Sequence, residues 1–495
     1  MDLMNTYVTP SQTALSKPFE IPTDLLIGGE WRPAQGAARF DVIDPSRGSV
    51  LTSVADGSVA DGSAAIEAAD KAAKAWAETA PRARSGILQA CYQSMMDNQA
   101  WLAEVISLEN GKALDDAKGE VAYAAEFFRW YAEEGVRLNG ELNMAPGGAN
   151  RILVQYAPIG ISLLVTPWNL PAAMATRKIA PALAAGCTCI LKPAEETPLT
   201  ALAIGQLLLE AGVPAGVLNI VTTRNPGPLA AAILHDPRVR KLSFTGSTEV
   251  GRILLREAAD NIVSPSMELG GNAPFLVFDD ADLEAATEGA VAAKMRHGGE
   301  ACIAANRFLV QRGIYEAFAK SLTESMKRLK VGDGCAADTQ CGSMINAAAV
   351  EKIERLVNDA RLRGARVLLG GVRSDRPGFF YPPTVLVDID PNSDILKEEI
   401  FGPVAALTPF DTVEEAIALA NATEFGLGAY VYTSNLKLGL QVSERLESGM
   451  IGLNRGVLSD PAGPFGGVKQ SGLGREGSHH GIKEFTEAKY IAVEW

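Results

Sequence analysis

The segment Cys187-Thr-Cys-Ile-Leu-Lys-Pro-Ala-Glu195 has the apolar run of a buried β-strand, followed by a polar turn. Segments with strand and helix patterns alternate on both sides of it. The predicted helices cover residues 172–186, 199–211, 228–234 and a stretch from about Ser247, and the predicted strands cover 187–192, 217–221 and 241–244. This order predicts parallel strands with helices on both faces of one sheet. Such a doubly wound sheet binds nucleotides at the carboxyl ends of its strands.

A second alternating series begins after Pro274 and predicts a second α/β domain. Its predicted strands cover residues 275–278 and 308–310, and its predicted helices cover 283–295 and 315–329. Upstream, the Gly pair in Leu25-Leu-Ile-Gly-Gly-Glu-Trp31 predicts a hairpin turn. Residues 59–140 have the apolar periodicity of two or three helices.

Length and composition place the chain among ordinary globular proteins. Its 495 residues are too many for one hydrophobic core, and 47% are hydrophobic and 21% charged. The net charge is -14, and the sequence has no long basic run. These features argue against binding to nucleic acid.

Cysteine and histidine usage argues against both a disulfide framework and a metal site. The six cysteines are sparse, which fits a reducing compartment, and four His leave no set of zinc ligands. We therefore predict no metal. Residues 1–18 lack the pattern of a targeting leader, and no apolar run has the length of a membrane helix. A cytoplasmic protein without membrane contact is expected.

Cys302 is the candidate nucleophile, at the centre of Arg296-His-Gly-Gly-Glu-Ala-Cys-Ile-Ala-Ala-Asn-Arg307. The glycines Gly298 and Gly299 allow a sharp turn that would present the thiol at a cleft. Taken alone, such a cysteine is more often an ordinary buried residue, because a free thiol behaves as a small hydrophobic group. Four other motifs change that balance.

Two of these motifs follow predicted strands. In Pro167-Trp-Asn169 the amide of Asn169 can donate a hydrogen bond to an oxyanion, although the motif can also simply begin a helix. In Lys192-Pro-Ala-Glu195 the two charged groups can bind a ribose. The carboxylate of Glu195 would repel a ribose 2′-phosphate, which favours NAD over NADP. The alternative is a capping turn with solvated charges.

The other two motifs contain a candidate phosphate site and a candidate base. Phe244-Thr-Gly-Ser-Thr-Glu-Val-Gly251 has a strand, turn and helix pattern in which Gly246, Ser247 and the helix amides can hold a pyrophosphate. It lacks the three-glycine dinucleotide fingerprint. In Met267-Glu-Leu-Gly-Gly-Asn-Ala-Pro274, Glu268 can act as a general base on water, or it can be an ordinary surface charge.

Together, in this order, the motifs closely resemble the aldehyde dehydrogenase superfamily. Glu399-Ile-Phe-Gly-Pro-Val404 and Pro464-Phe-Gly-Gly-Val-Lys-Gln-Ser-Gly-Leu-Gly-Arg-Glu476 complete a resemblance that runs from about residue 25 to residue 495. Within the superfamily, residues 176–188 and 466–478 most resemble the NAD(P)-dependent succinate-semialdehyde dehydrogenases. The resemblance implies an α/β fold with a doubly wound Rossmann-type NAD domain (residues 1–140 and 157–273), an α/β catalytic domain (274–475) and a small β oligomerisation arm (141–156 and 476–495).

The resemblance also implies a role for each matching residue. Cys302 would be the nucleophile, Glu268 the base that activates water and Asn169 the oxyanion donor, and Lys178 and Glu476 match positions linked with proton relay. The matching cofactor positions are Thr166, Pro167, Trp168, Lys192, Pro193, Ala194, Glu195, Gly246, Ser247, Leu269, Glu399 and Phe401. The positions that hold a substrate carboxylate are Arg177, Arg296 and Ser459, and guanidinium groups suit that task.

Three positions beside the nucleophile depart from the family pattern. Ala304 stands where several relatives have a second cysteine, so no local redox disulfide is expected. Glu300 and His297 stand where Gln and Asn are common, and either change can alter the substrate or the acidity of the thiol.

We therefore expect NAD-dependent oxidation of a small acidic semialdehyde, with succinate semialdehyde as the best candidate, by a homodimer or homotetramer. NADP is the alternative cofactor. Glutarate, 2-oxoglutarate or sulfonated semialdehydes, or broad or aromatic aldehydes, are alternative substrates. A ligand-binding protein that has lost turnover is a remote alternative.

Overall fold

A computed structural model of the protein describes residues 21–494, in which two large and three small β-sheets pack with fourteen α-helices. The expectations for residues 1–18 and for Trp495 lie outside these residues. The β, α, β, α alternation predicted from the sequence is present in both large sheets, and each sheet has helices packed against it.

The first large sheet has five parallel strands at its centre. In spatial order these are Leu218–Ile220, Cys189–Lys192, Ile161–Val165, Val239–Thr245 and Ser264–Glu268. All residues of Ile161–Val165 are buried, as expected for a strand covered on both faces. The chain runs outward from this strand in both directions, so the order reverses beside it. Parallel sheets bind ligands outside the carboxyl ends of the strands at such a point.

Short antiparallel strands extend both edges of this sheet. Leu25–Ile27 and Glu30–Arg32 form the predicted hairpin on one edge, and Gly472–Leu473 pairs with Ser264–Glu268 on the other. The last pairing joins a segment near the carboxyl terminus to the first sheet. The division of the chain into domains stays a prediction.

Eight helices pack with the first sheet or against one another. They are Val59–Glu78, Pro81–Asp97, Gln99–Asn110, Leu114–Glu134, Pro171–Ala185, Pro198–Glu210, Pro226–Leu234 and Thr248–Ala259. The prediction of two or three helices over residues 59–140 is wrong, since four are present. Breaks of one or a few residues separate them, at Pro81 and at Asn98, and apolar periodicity alone does not resolve breaks that short.

The second large sheet is parallel except at one edge. In spatial order its strands are Arg366–Leu369, Thr384–Val387, Val404–Phe410, Ala305–Gln311, Ala273–Val277, Gly428–Tyr432 and Met450–Leu453. The remaining helices are Leu283–Met295, Arg312–Lys327, Ala347–Leu362, Val413–Asn421, Leu436–Arg445 and Ser478–Lys483, with 3₁₀ turns at Arg296–Gly299 and Asp394–Leu396.

The small sheets include a three-stranded antiparallel arm. Its strands, in order, are Thr486–Val493, Arg151–Pro158 and Glu141–Met144. Leu142, Met144 and Tyr490 are exposed on it. The other two small sheets are hairpin-like pairs, Arg39–Asp44 with Ser49–Ala55 and Phe425–Gly426 with Val468–Lys469.

Across residues 21–494, no helix is both long and apolar enough to cross a membrane. The same residues contain no group of three or more His, Cys, Asp or Glu side chains arranged to hold a metal ion.

Candidate active site

Cys302 lies in the loop that joins helix Leu283–Met295 to strand Ala305–Gln311, and its side chain is partly exposed. The loop begins with a 3₁₀ turn in which His297 and Gly299 have φ of 54° and 81°. A Cβ atom on Gly299 would lie 2.3 Å from the carbonyl oxygen of Gly402, so only glycine fits there. The glycine pair makes the predicted sharp turn, and the thiol lies between two cavities.

The larger cavity has a volume of about 360 Å³ and lies beyond the carboxyl ends of the parallel strands. Trp168 and Phe401 make an edge-to-face contact in it, with ring centroids 5.3 Å apart. Nine predicted site residues line this cavity: Pro167, Trp168, Asn169, Gly246, Ser247, Leu269, Cys302, Glu399 and Phe401. The motifs at residues 167–169, 244–251 and 399–404 therefore meet beside Cys302, whereas the motif at residues 192–195 lies outside this cavity.

The smaller cavity has a volume of about 40 Å³ and also reaches Cys302. Arg177, Arg296 and Ser459 line it, together with the aromatic residues Tyr123 and Phe465. The three residues predicted to hold a substrate carboxylate are thus brought together beside the thiol. Cys302 and Met174 are shared by the linings of the two cavities.

Asn169 is held by polar contacts on both sides. Its Nδ2 donates to the backbone carbonyl oxygen of Glu300 at 2.9 Å. The backbone carbonyl oxygen of Asn169 accepts from Lys112 Nζ at 2.6 Å. Lys112 also forms a buried ion pair with Glu120 at 2.5 Å. An Asn amide has two N–H donors, so one is left for a ligand.

Glu120 fixes the start of the helix that follows Asn169. Its Oε1 accepts the backbone N–H groups of Ala172 at 2.9 Å and Ala173 at 3.3 Å. A carboxylate at a helix amino terminus satisfies free donors and interacts favourably with the helix dipole. Because Arg177 and Lys178 belong to the same helix, Glu120 helps to place them as well.

The surroundings of the Cys302 thiol favour its neutral form. Burial raises the pKa of Cys302 to about 12; Arg177 acts to lower it, and Glu399 and Glu268 raise it further. A thiol is a weak nucleophile compared with its thiolate. The proton of Cys302 must therefore leave when the thiol attacks.

Glu268 is a buried carboxyl group at the end of strand Ser264–Glu268, next to Leu269 in the larger cavity. Neither of its carboxyl oxygens has a hydrogen-bond partner among the described residues. Burial raises the pKa of Glu268 well above its usual range, and Glu476 adds to the rise. A raised pKa favours the protonated carboxyl group and makes the ionised form a stronger base than an ordinary glutamate.

Glu476 lies against two cations of one helix. Its carboxylate forms ion pairs with Arg177, at 2.5 Å, and with Lys178, which also donates to Ser243 Oγ at 3.2 Å. Burial raises the pKa of Glu476, but Arg177 and Lys178 outweigh burial and hold it below its usual range. Burial lowers the pKa of Lys178. The pKa of Glu268 is therefore above the usual range of a glutamate, and that of Glu476 is below it.

The remaining predicted cofactor residues lie at the end of strand Cys189–Lys192. Lys192 and Glu195 form an ion pair at 3.5 Å, Pro193 and Ala194 lie between them, and Thr166 donates its backbone N–H to the Lys192 carbonyl oxygen at 3.2 Å. They stand outside the linings of both cavities. Burial lowers the pKa of Lys192.

The larger cavity fits a dinucleotide. The hydroxyl of Thr245 is buried in its wall with no partner among the described residues. The amino terminus of helix Thr248–Ala259, with Ser247 as its cap, lies at the same cavity and supplies N–H groups suited to phosphate. Lys192 and Glu195, the pair predicted to bind a ribose, lie two strands away in the same sheet, and with them the donor set suits a dinucleotide.

Sequence reasoning missed several residues of both cavities. Tyr123 and Glu120 lie on helix Leu114–Glu134, where they blend into an amphipathic pattern that gives no functional signal. Asn346 lines the larger cavity and caps helix Ala347–Leu362 by accepting from Ala349 N at 3.0 Å. Its position before an amphipathic run is a recognisable cap signal that was available in the sequence.

Comparison with known proteins agrees with this geometry. The sequence model described as the aldehyde dehydrogenase family matches residues 31–491. A succinate-semialdehyde dehydrogenase of Paenarthrobacter nicotinovorans is 51% identical, over 90% of this chain and 99% of that protein. The NADP(+) succinate-semialdehyde dehydrogenase GabD of Escherichia coli is 47% identical, over 94% and 97%. A glutarate-semialdehyde dehydrogenase of Pseudomonas putida is 46% identical, over 94% and 97%.

A solved structure shows the same fold. The crystal structure of succinate-semialdehyde dehydrogenase from Burkholderia pseudomallei has a TM-score of 0.96 and 46% sequence identity to this chain. The match covers 98% of this chain and 100% of that one. The predicted α/β fold and the predicted oxidoreductase class are confirmed. This chain belongs to the aldehyde dehydrogenase family, whose members are oxidoreductases that act on aldehydes.

Proposed function

We propose that this protein oxidises succinate semialdehyde to succinate with NAD. The observation that supports this most directly is the small cavity beside Cys302, which two guanidinium groups and one hydroxyl line, from Arg177, Arg296 and Ser459. Such groups recognise a carboxylate, and the cavity's volume of about 40 Å³ suits a short aldehyde. Two of the relatives reported above are named succinate-semialdehyde dehydrogenases.

The reaction begins at Cys302. The partly exposed thiol gives its proton to solvent, and its sulfur attacks the aldehyde carbon, which forms a thiohemiacetal with a negatively charged oxygen. The free N–H of the Asn169 amide and the backbone N–H of Cys302 stabilise that oxygen. A nicotinamide cofactor in the larger cavity would supply the acceptor for the hydride that leaves the thiohemiacetal carbon. The substrate is left as a thioester on Cys302.

Water then releases the acid. Glu268, as a carboxylate, takes one proton from a water molecule, whose oxygen attacks the thioester carbon and displaces the Cys302 sulfur. Lys178 and Glu476, which form a buried ion pair with each other, would accept that proton from Glu268. Glu399 and Phe401, which line the larger cavity with Cys302, would hold the ribose and the ring of the cofactor.

NAD is the proposed cofactor because of Glu195. Its carboxylate, 39% exposed and 3.5 Å from Lys192, is suited to accept hydrogen bonds from ribose hydroxyls. The same charge would repel a 2′-phosphate. The E. coli relative is named as an NADP(+) enzyme, so the preference of this chain needs a direct comparison of the two cofactors.

Glutarate semialdehyde is the second candidate substrate. It carries the same distal carboxylate, and the relative from Pseudomonas putida is named for it. The experiment is NADH formation followed by absorbance with succinate, glutarate and 2-oxoglutarate semialdehydes, a sulfonated aldehyde, butanal and benzaldehyde. We expect the highest kcat/KM with succinate semialdehyde. Higher values with butanal or benzaldehyde would contradict recognition of a carboxylate by Arg177 and Arg296.

The free cysteines and the exposed arm strands bear on the cellular location and the oligomeric state. All six cysteines are free, which supports a reducing, cytoplasmic location. The arm strands Glu141–Met144 and Thr486–Val493 are outer strands with exposed apolar side chains, and a second copy that covers them would remove this liability. We therefore propose a homodimer or homotetramer, and light scattering that shows a monomer would contradict it.

A further inference from the structure

Arg177 lies where two carboxylates can compete for one guanidinium group. Its side chain is 1% exposed, lines the small cavity and pairs through Nε with Glu476 at 2.5 Å. The guanidinium carbon lies 4.2 Å from the centre of the Phe465 ring, and Nη2 lies 3.2 Å from Met174 Sδ. These contacts fix the group in place, so a ligand must come to it. A ligand carboxylate and Glu476 would then share one positive charge.

This inference rests on the proposed oxidation of an acidic aldehyde. We propose that the distal carboxylate of the substrate and Glu476 share Arg177, so that an acidic substrate weakens the hold on Glu476 and prepares it to accept the proton of Glu268. Arg177 is then a positioning residue for the proton pathway as well as a binding group. A neutral aldehyde fills the cavity without this effect.

The pKa values of the two glutamates favour such a step. Burial raises the pKa of Glu268, which favours its protonated form, whereas Arg177 and Lys178 lower the pKa of Glu476, which favours its carboxylate. The two carboxyl groups make no direct hydrogen bond, so one proton passes from Glu268 to Glu476 by way of a water molecule, which leaves Glu268 as a carboxylate and the total charge of the pair unchanged. Glu268 can then take one proton from the attacking water, while the Cys302 sulfur leaves the thioester carbon.

The charged and titratable groups around Glu476 come from four elements. Arg177 and Lys178 belong to helix Pro171–Ala185, Glu268 ends strand Ser264–Glu268, Tyr123 and Tyr131 belong to helix Leu114–Glu134, and Arg475 precedes Glu476 in the chain. Of these, Arg177 and Tyr123 also line the small cavity, and Arg177 is the one with a permanent charge. A substrate carboxylate in the small cavity therefore affects Glu476 through its interaction with Arg177.

The test uses succinate, the product, as a probe of binding to the full-length protein. Glu476→Gln removes the internal competitor for Arg177, so we expect succinate to bind at least about fivefold more tightly, the lower end of typical coupling between linked events. Since the proton moves within the pair, calorimetry in two buffers of different ionisation enthalpy should show no net proton uptake when the unmutated protein binds succinate. Net uptake would overturn the transfer from Glu268, because Glu476 would then take its proton from solvent. In turnover, the variant should lower both kcat and KM for succinate semialdehyde and leave KM for butanal unchanged.

Two further variants keep the test independent of folding. Glu484→Gln is the matched control, since Glu484 is a 28% exposed carboxylate that pairs with Lys241 at 3.3 Å and lines neither cavity. It should leave the affinity for succinate unchanged. Glu476→Asp keeps the charge but draws it back by one methylene, and should bind succinate more tightly than the unmutated protein by a smaller factor. If Glu476→Gln does not fold, Glu476→Asp decides the question.

The outcomes separate this inference from the proposed function. Folded Glu476 variants that bind succinate no more tightly than the unmutated protein would overturn the sharing of Arg177, even if acidic aldehydes remain the preferred substrates. Equal tightening in Glu484→Gln would also overturn it. An unmutated protein that prefers butanal and does not bind succinate would reject the proposed function itself.

Discussion

The two cavities that meet at Cys302 are built in different ways. The larger one, about 360 Å³, is lined by loops at the carboxyl ends of parallel strands and by a helix amino terminus. The smaller one, about 40 Å³, is lined by side chains from helices and from the segment that contains Ser459 and Phe465. The first depends on where strands end. The second depends on which side chains meet.

This difference separates a general property of the fold from a specific property of the chain. The carboxyl edge of a doubly wound sheet binds nucleotides in many proteins that act on different substrates. The smaller cavity, which two guanidinium groups line, is where we propose that the aldehyde is selected. Changes on one side of Cys302 should therefore alter one function and leave the other.

The largest effect is expected at the residue that both cavities share. Cys302→Ala removes the nucleophile, so dehydrogenase turnover should fall by at least about a thousandfold. NADH binding, followed by its fluorescence, should change little because the other residues of the larger cavity remain. Substantial turnover in this variant would show that another group attacks the aldehyde. Loss of NADH binding would show that the two cavities are not separable at Cys302.

The second effect is confined to the smaller cavity. Arg296→Gln should raise KM for succinate semialdehyde about 30-fold or more, because removal of one partner from a buried charge pair typically costs at least 2 kcal/mol. KM for butanal, measured with the same variant, should change by less than about threefold, since butanal lacks the carboxylate. Equal losses with both aldehydes would mean that Arg296 is structural. Ser459→Ala should show the same selectivity with a smaller change.

The same contrast explains what the sequence could and could not predict. Strand ends are readable from apolar runs that stop at polar turns, so Lys192 and Ser247 were placed correctly at the carboxyl edge, whereas the strand that ends at Glu268 was not predicted. Helix Leu283–Met295 has the predicted bounds because Asp282 caps it clearly. Short breaks between helices carried no such signal.

Pairs between distant side chains have no local pattern at all. Lys178 and Glu476 are 298 positions apart, and nothing near either one indicates the other. The family resemblance indicated that both residues belong to the site. Only the folded arrangement showed that Glu476 pairs with Arg177, a residue expected to bind substrate alone.

A third, smaller effect tests the cofactor side. Glu195→Ser removes the carboxylate that would repel a 2′-phosphate and leaves Lys192 unpaired, so the ratio of kcat/KM for NAD to that for NADP should fall by about tenfold or more. KM for succinate semialdehyde should stay the same. Glu196→Gln, at the neighbouring carboxyl group, is the control and should keep the preference. An unmutated enzyme that prefers NADP would contradict the role given to Glu195.

The smallest effect concerns Glu300, whose hydrogen-bond partners Asn169 and Ile345 both line the larger cavity. Its carbonyl oxygen accepts from Asn169 Nδ2 at 2.9 Å, and its side chain accepts from Ile345 N at 3.2 Å, beside the larger cavity. Burial raises the pKa of Glu300 to about 8, from 4.5. Between these values the unfolded chain loses the proton and the folded chain keeps it, so this residue lowers the free energy of unfolding as pH rises.

Glu300→Gln keeps the acceptor for Ile345 and removes the ionisable group. The melting temperature should therefore rise by about 2 °C or more near pH 8 and hardly change near pH 5. Because the backbone carbonyl, and not the side chain, holds Asn169, kcat should change by less than about threefold. An equal rise in melting temperature at both pH values would mean that Glu300 is ionised in the folded protein. A large loss of kcat would mean that the carboxyl group itself acts on one of the two cavities.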